Sequence, residues 1–155
     1  GISPSIIKKA LKNITMPGRM QEIKSGRLRK GLPKSTLIFA DGGHNSLSSK
    51  SVCTALSSKY KNKDLYAIIS MISSKDPSSF LKPFKSFKKI FFVNMKQSNI
   101  YPKESLNKIS KKLNIPSAVS EDCYEAIKTV SEKKNAIFLI TGSFYYLQEI
   151  IWNII

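Results

Sequence analysis

A chain of 155 residues, 41% of them hydrophobic and with aromatics spread along its length, has material for one buried core and is neither wholly disordered nor collagen-like. Its 26 Lys and Arg against 10 Asp and Glu give a formal charge of +16, which invites a nucleic-acid reading. Against that reading, the only arginines are Arg19, Arg27 and Arg29, and scattered lysines give a solvated positive skin rather than the guanidinium forks and stacked aromatics that read bases.

In chain order, Ser3-Pro4 followed by Ile6, Ile7, Ala10, Leu11 and Ile14 predicts a helix with its cap and first-turn proline. Met16-Pro17-Gly18 breaks it. A short extended piece ending near Ile23, a basic turn over residues 24–34 and the run "STLIFA" then predict a hairpin. Strand-like runs follow at Leu37–Ala40, Leu65–Met71, Ile90–Val93 and Ala136–Ile140, all continuously apolar, as expected of a sheet covered on both faces. Helical spacing recurs between them at Val52, Leu56 and Tyr60, at Leu106, Ile109 and Leu113, and at Cys123, Ile127 and Val130. The last of these helices has Ser120 as its expected cap, Glu121 and Asp122 in the first turn and Lys133 and Lys134 in the last. A closing helix runs from about Phe144 through Leu147, Ile150, Ile151 and Ile154. This alternation argues an α/β domain on a mostly parallel sheet, with one antiparallel strand from the hairpin.

No apolar run approaches the roughly 18 to 20 residues that span a bilayer, and nothing at the N-terminus resembles a signal peptide. The expectation is a soluble cytoplasmic protein without a membrane partner. Cys53 and Cys123 lie far apart within helical patterns and are expected to be reduced and buried, with no metal or redox role.

Ligands of open α/β sheets gather beyond the carboxyl ends of the strands. Three such places carry chemistry: Asp41-Gly42-Gly43-His44-Asn45, Ser73-Ser74-Lys75-Asp76-Pro77 and Thr141-Gly142-Ser143. The first superficially echoes G-x-x-x-x-G-K-[ST], but Ser48 stands where the second glycine belongs and Lys50 falls one place late, so a phosphate-cradling P-loop is not expected. What remains is a strand-tip carboxylate suited to paired ribose hydroxyls, with His44 and Asn45 beside it. Turn capping is the plainer alternative for Asp41 and Asn45. Asp76 before Pro77 reads equally as a helix cap, while Lys75 is free to reach an anion. Ser143 beside Gly142 reads as an anion site at a helix start or as a cap.

Four segments taken in order resemble a known family: "PGRMQ" at Pro17–Gln21, "FADGGHN" at Phe39–Asn45, "SMISSKD" at Ser70–Asp76 and "ITGSFYYLQEI" at Ile140–Ile150. They are similar to the C-terminal domain of folylpolyglutamate synthase, or of its bifunctional dihydrofolate synthase form, in the Mur ligase superfamily. That family's usual forms are W-P-G-R-[LM]-[QE], D-G-A-H-N-P, a D-K-D turn and I-T-G-S-L-Y. The resemblance implies a three-layer Rossmann-like domain over residues 16–155, with residues 1–15 a linker helix from a central domain that precedes it. It also implies ATP-dependent amide formation, in which the γ-phosphate passes to a folate or dihydropteroate carboxylate and L-glutamate's amine attacks the acyl phosphate.

Carried over, Arg19, Asp41 and Asn45 would bind ATP. His44 and Lys75 would serve the reacting groups, and Asp76 and Ser143 would lie near substrate, Ser143 toward the incoming glutamate. Magnesium ligands, the P-loop and the pterin pocket belong to the central domain, so no metal ligand is assigned here, and the chain alone is expected to be inactive or nearly so. Departures are Met16 for Trp, Gly43 for Ala, Ser46 for Pro, and a missing arginine between Met95 and Pro102, which leaves part of the substrate contact unassigned. The rival from another class is a basic α/β module for RNA or another polyanion. A third reading is a domain that serves only assembly or regulation.

Overall fold

Continuous runs of β-branched and aromatic residues cannot leave either face of a strand in water, so each seeks an inner place in a covered sheet. The computed structural model describes residues 1–7, 16–130 and 135–152. Within them, β1 (Gln21–Glu22), β2 (Leu37–Asp41), β3 (Asp64–Ile69), β4 (Lys89–Phe92), β5 (Ser117–Val119) and β6 (Ala136–Thr141) form one sheet in the order β1-β2-β6-β3-β4-β5. All pairings are parallel except β1 with β2, where Gln21 faces Ala40. The expected hairpin is therefore present. The connections are α1 (Ser46–Lys59), α2 (Pro77–Leu81), α3 (Lys103–Lys112) and α4 (Cys123–Lys128), and α5 (Phe144–Trp152) closes the described chain.

Alternate residues of β2, β3, β4 and β6 feed two cores. Ile38, Phe91, Phe138 and Ile140 pack with Ile127 and Leu147 on the face under α4 and α5. Phe39, Ile69, Phe92 and Leu139 pack with Leu56, Phe80 and Leu106 on the face under α1, α2 and α3. This is the two-sided covering that the unbroken apolar runs require.

Two details differ from expectation. The α4 cap is Asp122, whose side chain accepts the Glu125 N–H at 2.8 Å, while the Ser120 hydroxyl donates to the Asp122 carbonyl at 3.2 Å. A carboxylate two residues closer to the helix wins because it reaches the free N–H of the first turn. Strand β5 carries no apolar run and gains its pairing at the sheet edge from β4. Residues 4–7 are helical, with the Ile6 N–H 3.4 Å from the Ser3 hydroxyl. Ala10, Leu11, Ile14, Lys133, Lys134 and Ile154 lie outside the described residues.

The strand order has one consequence for the site. Because β6 inserts between β2 and β3, the exits of β2, β6 and β3 stand side by side although they are distant in sequence. Gly142 makes that junction possible: at φ +105° its Cβ would lie 2.4 Å from the Ser70 carbonyl oxygen. Gly142→Ala is expected to lower the unfolding free energy by about 2 kcal/mol or more, read by urea unfolding. A variant within about 0.5 kcal/mol of the native chain would contradict this geometry.

Candidate functional site at the exits of β2, β6 and β3

Asp41 ends β2 opposite Thr141 of β6 and is 4% exposed. Its surroundings are polar, not apolar. Oδ1 accepts the Gly43 N–H at 2.8 Å, Oδ2 accepts the Met20 N–H at 3.0 Å, and Arg19 Nη1 stands 3.9 Å from Oδ1. A carboxylate offers about four acceptor positions, so these two N–H bonds leave some unused. Met20 sits at φ +42°, a left-handed conformation that a side chain adopts at a cost, and the bond to Asp41 holds it there.

Backbone bonds knit the neighbouring loops together. The Gly42 N–H donates to Gly18 O at 2.7 Å, the Gly142 N–H to Gly43 O at 3.0 Å, and the Ser70 N–H to Thr141 O at 3.3 Å. The Thr141 hydroxyl adds a bond to Gly43 O at 3.2 Å. A Cβ at Gly43 would lie 2.8 Å from both Asp41 Oδ1 and Ser48 Oγ. The alanine common at this position in the resembled pattern would need both of them to move.

Arg19, Asp41, His44 and Asn45 are thus brought together. Asn45 caps α1: its side chain accepts the Ser48 N–H at 2.9 Å, and Ser48 Oγ accepts the Asn45 N–H at 3.2 Å, closing a capping box. His44 is half-buried, with Nδ1 3.1 Å from Gly42 O. A carbonyl can only accept, so Nδ1 carries the proton and Nε2 is the nitrogen left for a ligand.

Ser143 adjoins the cluster but is 2% exposed, and its hydroxyl accepts the Tyr145 N–H at 3.2 Å, the geometry of a cap at the start of α5. Asp76 likewise caps α2, accepting from the Ser78 and Ser79 N–H groups and from the Ser79 hydroxyl at 2.6 Å. That hydroxyl bond, first among several, holds the Asp76 carboxyl below the usual carboxylate range. The loop bearing Lys75 and Asp76 is tied to the chain after β4, through the Ser73 N–H to Asn99 O and an Ile72–Ile100 bridge. Among the described residues, no hydrogen bond or ion pair joins Lys75 or Asp76 to the Asp41 loop.

Two residues of this region stand inside the quoted motifs without a role assigned from sequence. Met20 is one, the donor of the N–H to Asp41. Phe144, 40% exposed, has the Arg19 guanidinium 4.6 Å from its ring centre and borders a cleft of about 420 Å³ with Pro17, Gly18, Leu147 and Ile151. Both cysteines are buried as expected. Burial pushes the Cys53 thiol up to about 12 and the Cys123 thiol higher still, which disfavours the thiolate at both. No group of three metal-ligating side chains converges among the described residues, and no described helix is long and apolar enough to cross a membrane.

No protein-family model matches the sequence, and no curated protein does. Solved structures do. The chain superposes on a folylpolyglutamate synthase from Thermotoga maritima with a TM-score of 0.72 at 19% identity, covering 99% of this chain and 34% of that one. A bifunctional folylpolyglutamate synthase/dihydrofolate synthase from Yersinia pestis, complexed with AMPPNP and Mn ion, gives 0.75 at 15% identity, covering 99% and 35%. A Mycobacterium tuberculosis folylpolyglutamate synthase complexed with ADP gives 0.77 at 16%, covering 98% and 35%. The fold is that of a domain of folylpolyglutamate synthases. The mixed six-stranded sheet with helices on both sides agrees with the architecture expected from the motifs, and the chain spans about a third of the length of these structures.

Removing the Asp41 carboxylate leaves two N–H groups without their acceptor, each costing about 1–3 kcal/mol if it stays buried. Asp41→Ala is therefore expected to destabilise the chain by about 2–6 kcal/mol in urea unfolding, and Asp41→Asn, which keeps one oxygen acceptor, by less. Equal stability of the alanine variant and the native chain would remove Asp41 from this role. Asn45→Ala is expected to cost about 1 kcal/mol through loss of the α1 cap, lowering Tm by about 2–4 °C.

Proposed function

We propose that this chain is the C-terminal, glutamate-ligase domain of an ATP-dependent folate:glutamate amide ligase, of the folylpolyglutamate or dihydrofolate synthase kind, acting in the cytoplasm. The observation that carries the reading is the convergence of the four motif segments, the third through Ser70 alone, with Arg19 and Asp41 in contact at the exit of β2. In support, a bifunctional enzyme of this fold was solved with Mn, AMPPNP and L-glutamate, and the E. coli enzyme with DHPP and ADP. On this reading residues 1–15 lead in from a P-loop domain, and residues 16–155 form the second wall of the cleft.

The reaction transfers the γ-phosphoryl group of ATP to a folate or dihydropteroate carboxylate, releasing ADP. The amine of L-glutamate then attacks the acyl carbon, phosphate leaves, and an amide remains. Arg19, partly exposed, supplies fixed positive charge to the polyphosphate. The unused acceptor positions of Asp41 take a ribose hydroxyl. His44 Nε2 and the Asn45 amide border the reacting groups. Lys75, on the neighbouring loop, offers a further cation, and Asp76 and Ser143 act by fixing the helix starts on either side. Magnesium, as the nucleotide's partner, would bring charge neutralisation at the phosphates. The only carboxylate in the Arg19–Asn45 cluster is already engaged with two N–H groups, so its protein ligands are assigned to the preceding domain.

The test is ATP-to-ADP turnover dependent on folate and glutamate. The chain alone, which contains no G-x-x-x-x-G-K-[ST] motif, is expected to show none, and joining it to a P-loop domain of such an enzyme to restore turnover. In that assembly Arg19→Ala is expected to lower kcat/KM by about 10-fold or more, the worth of a hydrogen bond to a charged group. Substantial turnover by the chain alone, or an unaffected Arg19→Ala, would overturn the reading.

A second reading, a module for RNA or another polyanion, draws on one observation. A groove of about 690 Å³ between α1 and the turn at Lys82–Ser86 is lined by Lys50, Lys61 and Lys82 with no acid among its lining residues. It predicts RNA binding that falls steeply between low and moderate salt. Absence of salt-dependent RNA binding would dismiss it.

A further inference from the structure

We infer that Phe144 is the positioning residue for Arg19, an inference that rests on the nucleotide-binding reading above. Phe144 opens α5, directly after the Gly142-Ser143 turn. Its ring lies close to the backbone at two glycines. A Cβ at Gly42 would fall 2.4 Å from the ring, and one at Gly18 would fall 3.0 Å from it. The two glycines thus form the seat, and the Gly42 N–H bond to Gly18 O holds both sides of that seat together.

The guanidinium of Arg19 rests 4.6 Å from the centre of this ring, while Asp41 Oδ1 approaches the same group at 3.9 Å. The π face and the carboxylate are two different attractions acting on one planar cation, and together they restrict a side chain that is still 45% exposed and has many rotamers available to it. The guanidinium has five N–H donors, and its exposed portion is what remains for an anion at the strand exits. Where the family resembled by the sequence carries leucine after the Gly-Ser pair, this chain carries phenylalanine. Leucine would fill the seat but present no π face. The ring therefore does not touch the nucleotide in this account; it acts by holding Arg19.

The experiment uses the 155-residue chain with Phe144→Leu, Phe144→Tyr, Arg19→Ala and the Phe144→Leu/Arg19→Ala pair, with two readouts. The first is the ring-current shift of the Arg19 side-chain resonances by NMR. The second is the dissociation constant for MgATP by NMR titration at fixed salt. The native chain and Phe144→Tyr are expected to show upfield-shifted Arg19 resonances, and Phe144→Leu to lose the shift. Phe144→Leu is expected to weaken MgATP binding about 2- to 5-fold, Phe144→Tyr to leave it nearly unchanged, and the leucine effect to vanish when Arg19 is already alanine. An unshifted Arg19 in the native chain overturns the inference without recourse to any variant, as does a leucine effect of equal size with and without Arg19. If Arg19→Ala leaves MgATP affinity unchanged, the nucleotide reading fails, and the ring-current comparison still decides whether Phe144 holds Arg19.

Discussion

A single buried carboxylate organises the face where the motifs meet. Asp41 accepts one N–H from its own turn and one from the segment that precedes the hairpin, so the last residue of β2 fixes both the glycine loop and the strained Met20. Burying a carboxylate is costly unless its oxygens are bonded, and here the bonds come from backbone donors in the loops next to β1 and β2. Arg19 is then placed by consequence: it is anchored one residue before Met20 and approaches the carboxylate from the open side.

The glycines follow from the same constraint. Strands β2, β6 and β3 exit side by side, and their loops approach most closely where side chains are missing. Gly42 clears the Phe144 ring, Gly43 clears the carboxylate and Ser48, and Gly142 clears the Ser70 carbonyl. Three positions that look like generic turn residues in the sequence each answer to a different steric partner. Of the three deeply buried serine and threonine residues at the junction, Ser143 and Thr141 spend their hydroxyls within this network, on the start of α5 and on Gly43 respectively, while the Ser70 hydroxyl has no hydrogen-bond partner among the described residues.

Much of the fold was legible because the inner strands carry unbroken apolar runs, a signal that periodicity reads directly. The hairpin, the two-sided core and the Asp76-Pro77 helix start all appear where the residues place them. Strand β5 was not legible, since three residues with mixed burial carry no pattern and owe their conformation to the neighbouring strand. The Ser120 cap was misplaced because both Ser and Asp satisfy the composition of a cap, and only geometry separates a hydroxyl two residues early from a carboxylate in reach. At the site, the candidates after β2 were visible as residue types at a strand end. Their union with Arg19, and the ring of Phe144 against Gly18 and Gly42, depend on strand order, which no local window contains.

Amide hydrogen exchange at Met20 and Gly43 tests the central role of Asp41 most directly, because both N–H groups lie outside any helix or regular strand ladder and owe their acceptor to that one side chain. The account predicts slow exchange at both, at a level approaching that of the β2 amides, and its joint loss in Asp41→Ala with β2 still protected. Rapid exchange at Met20 and Gly43 in the native chain, at the rate of an open loop, would contradict it.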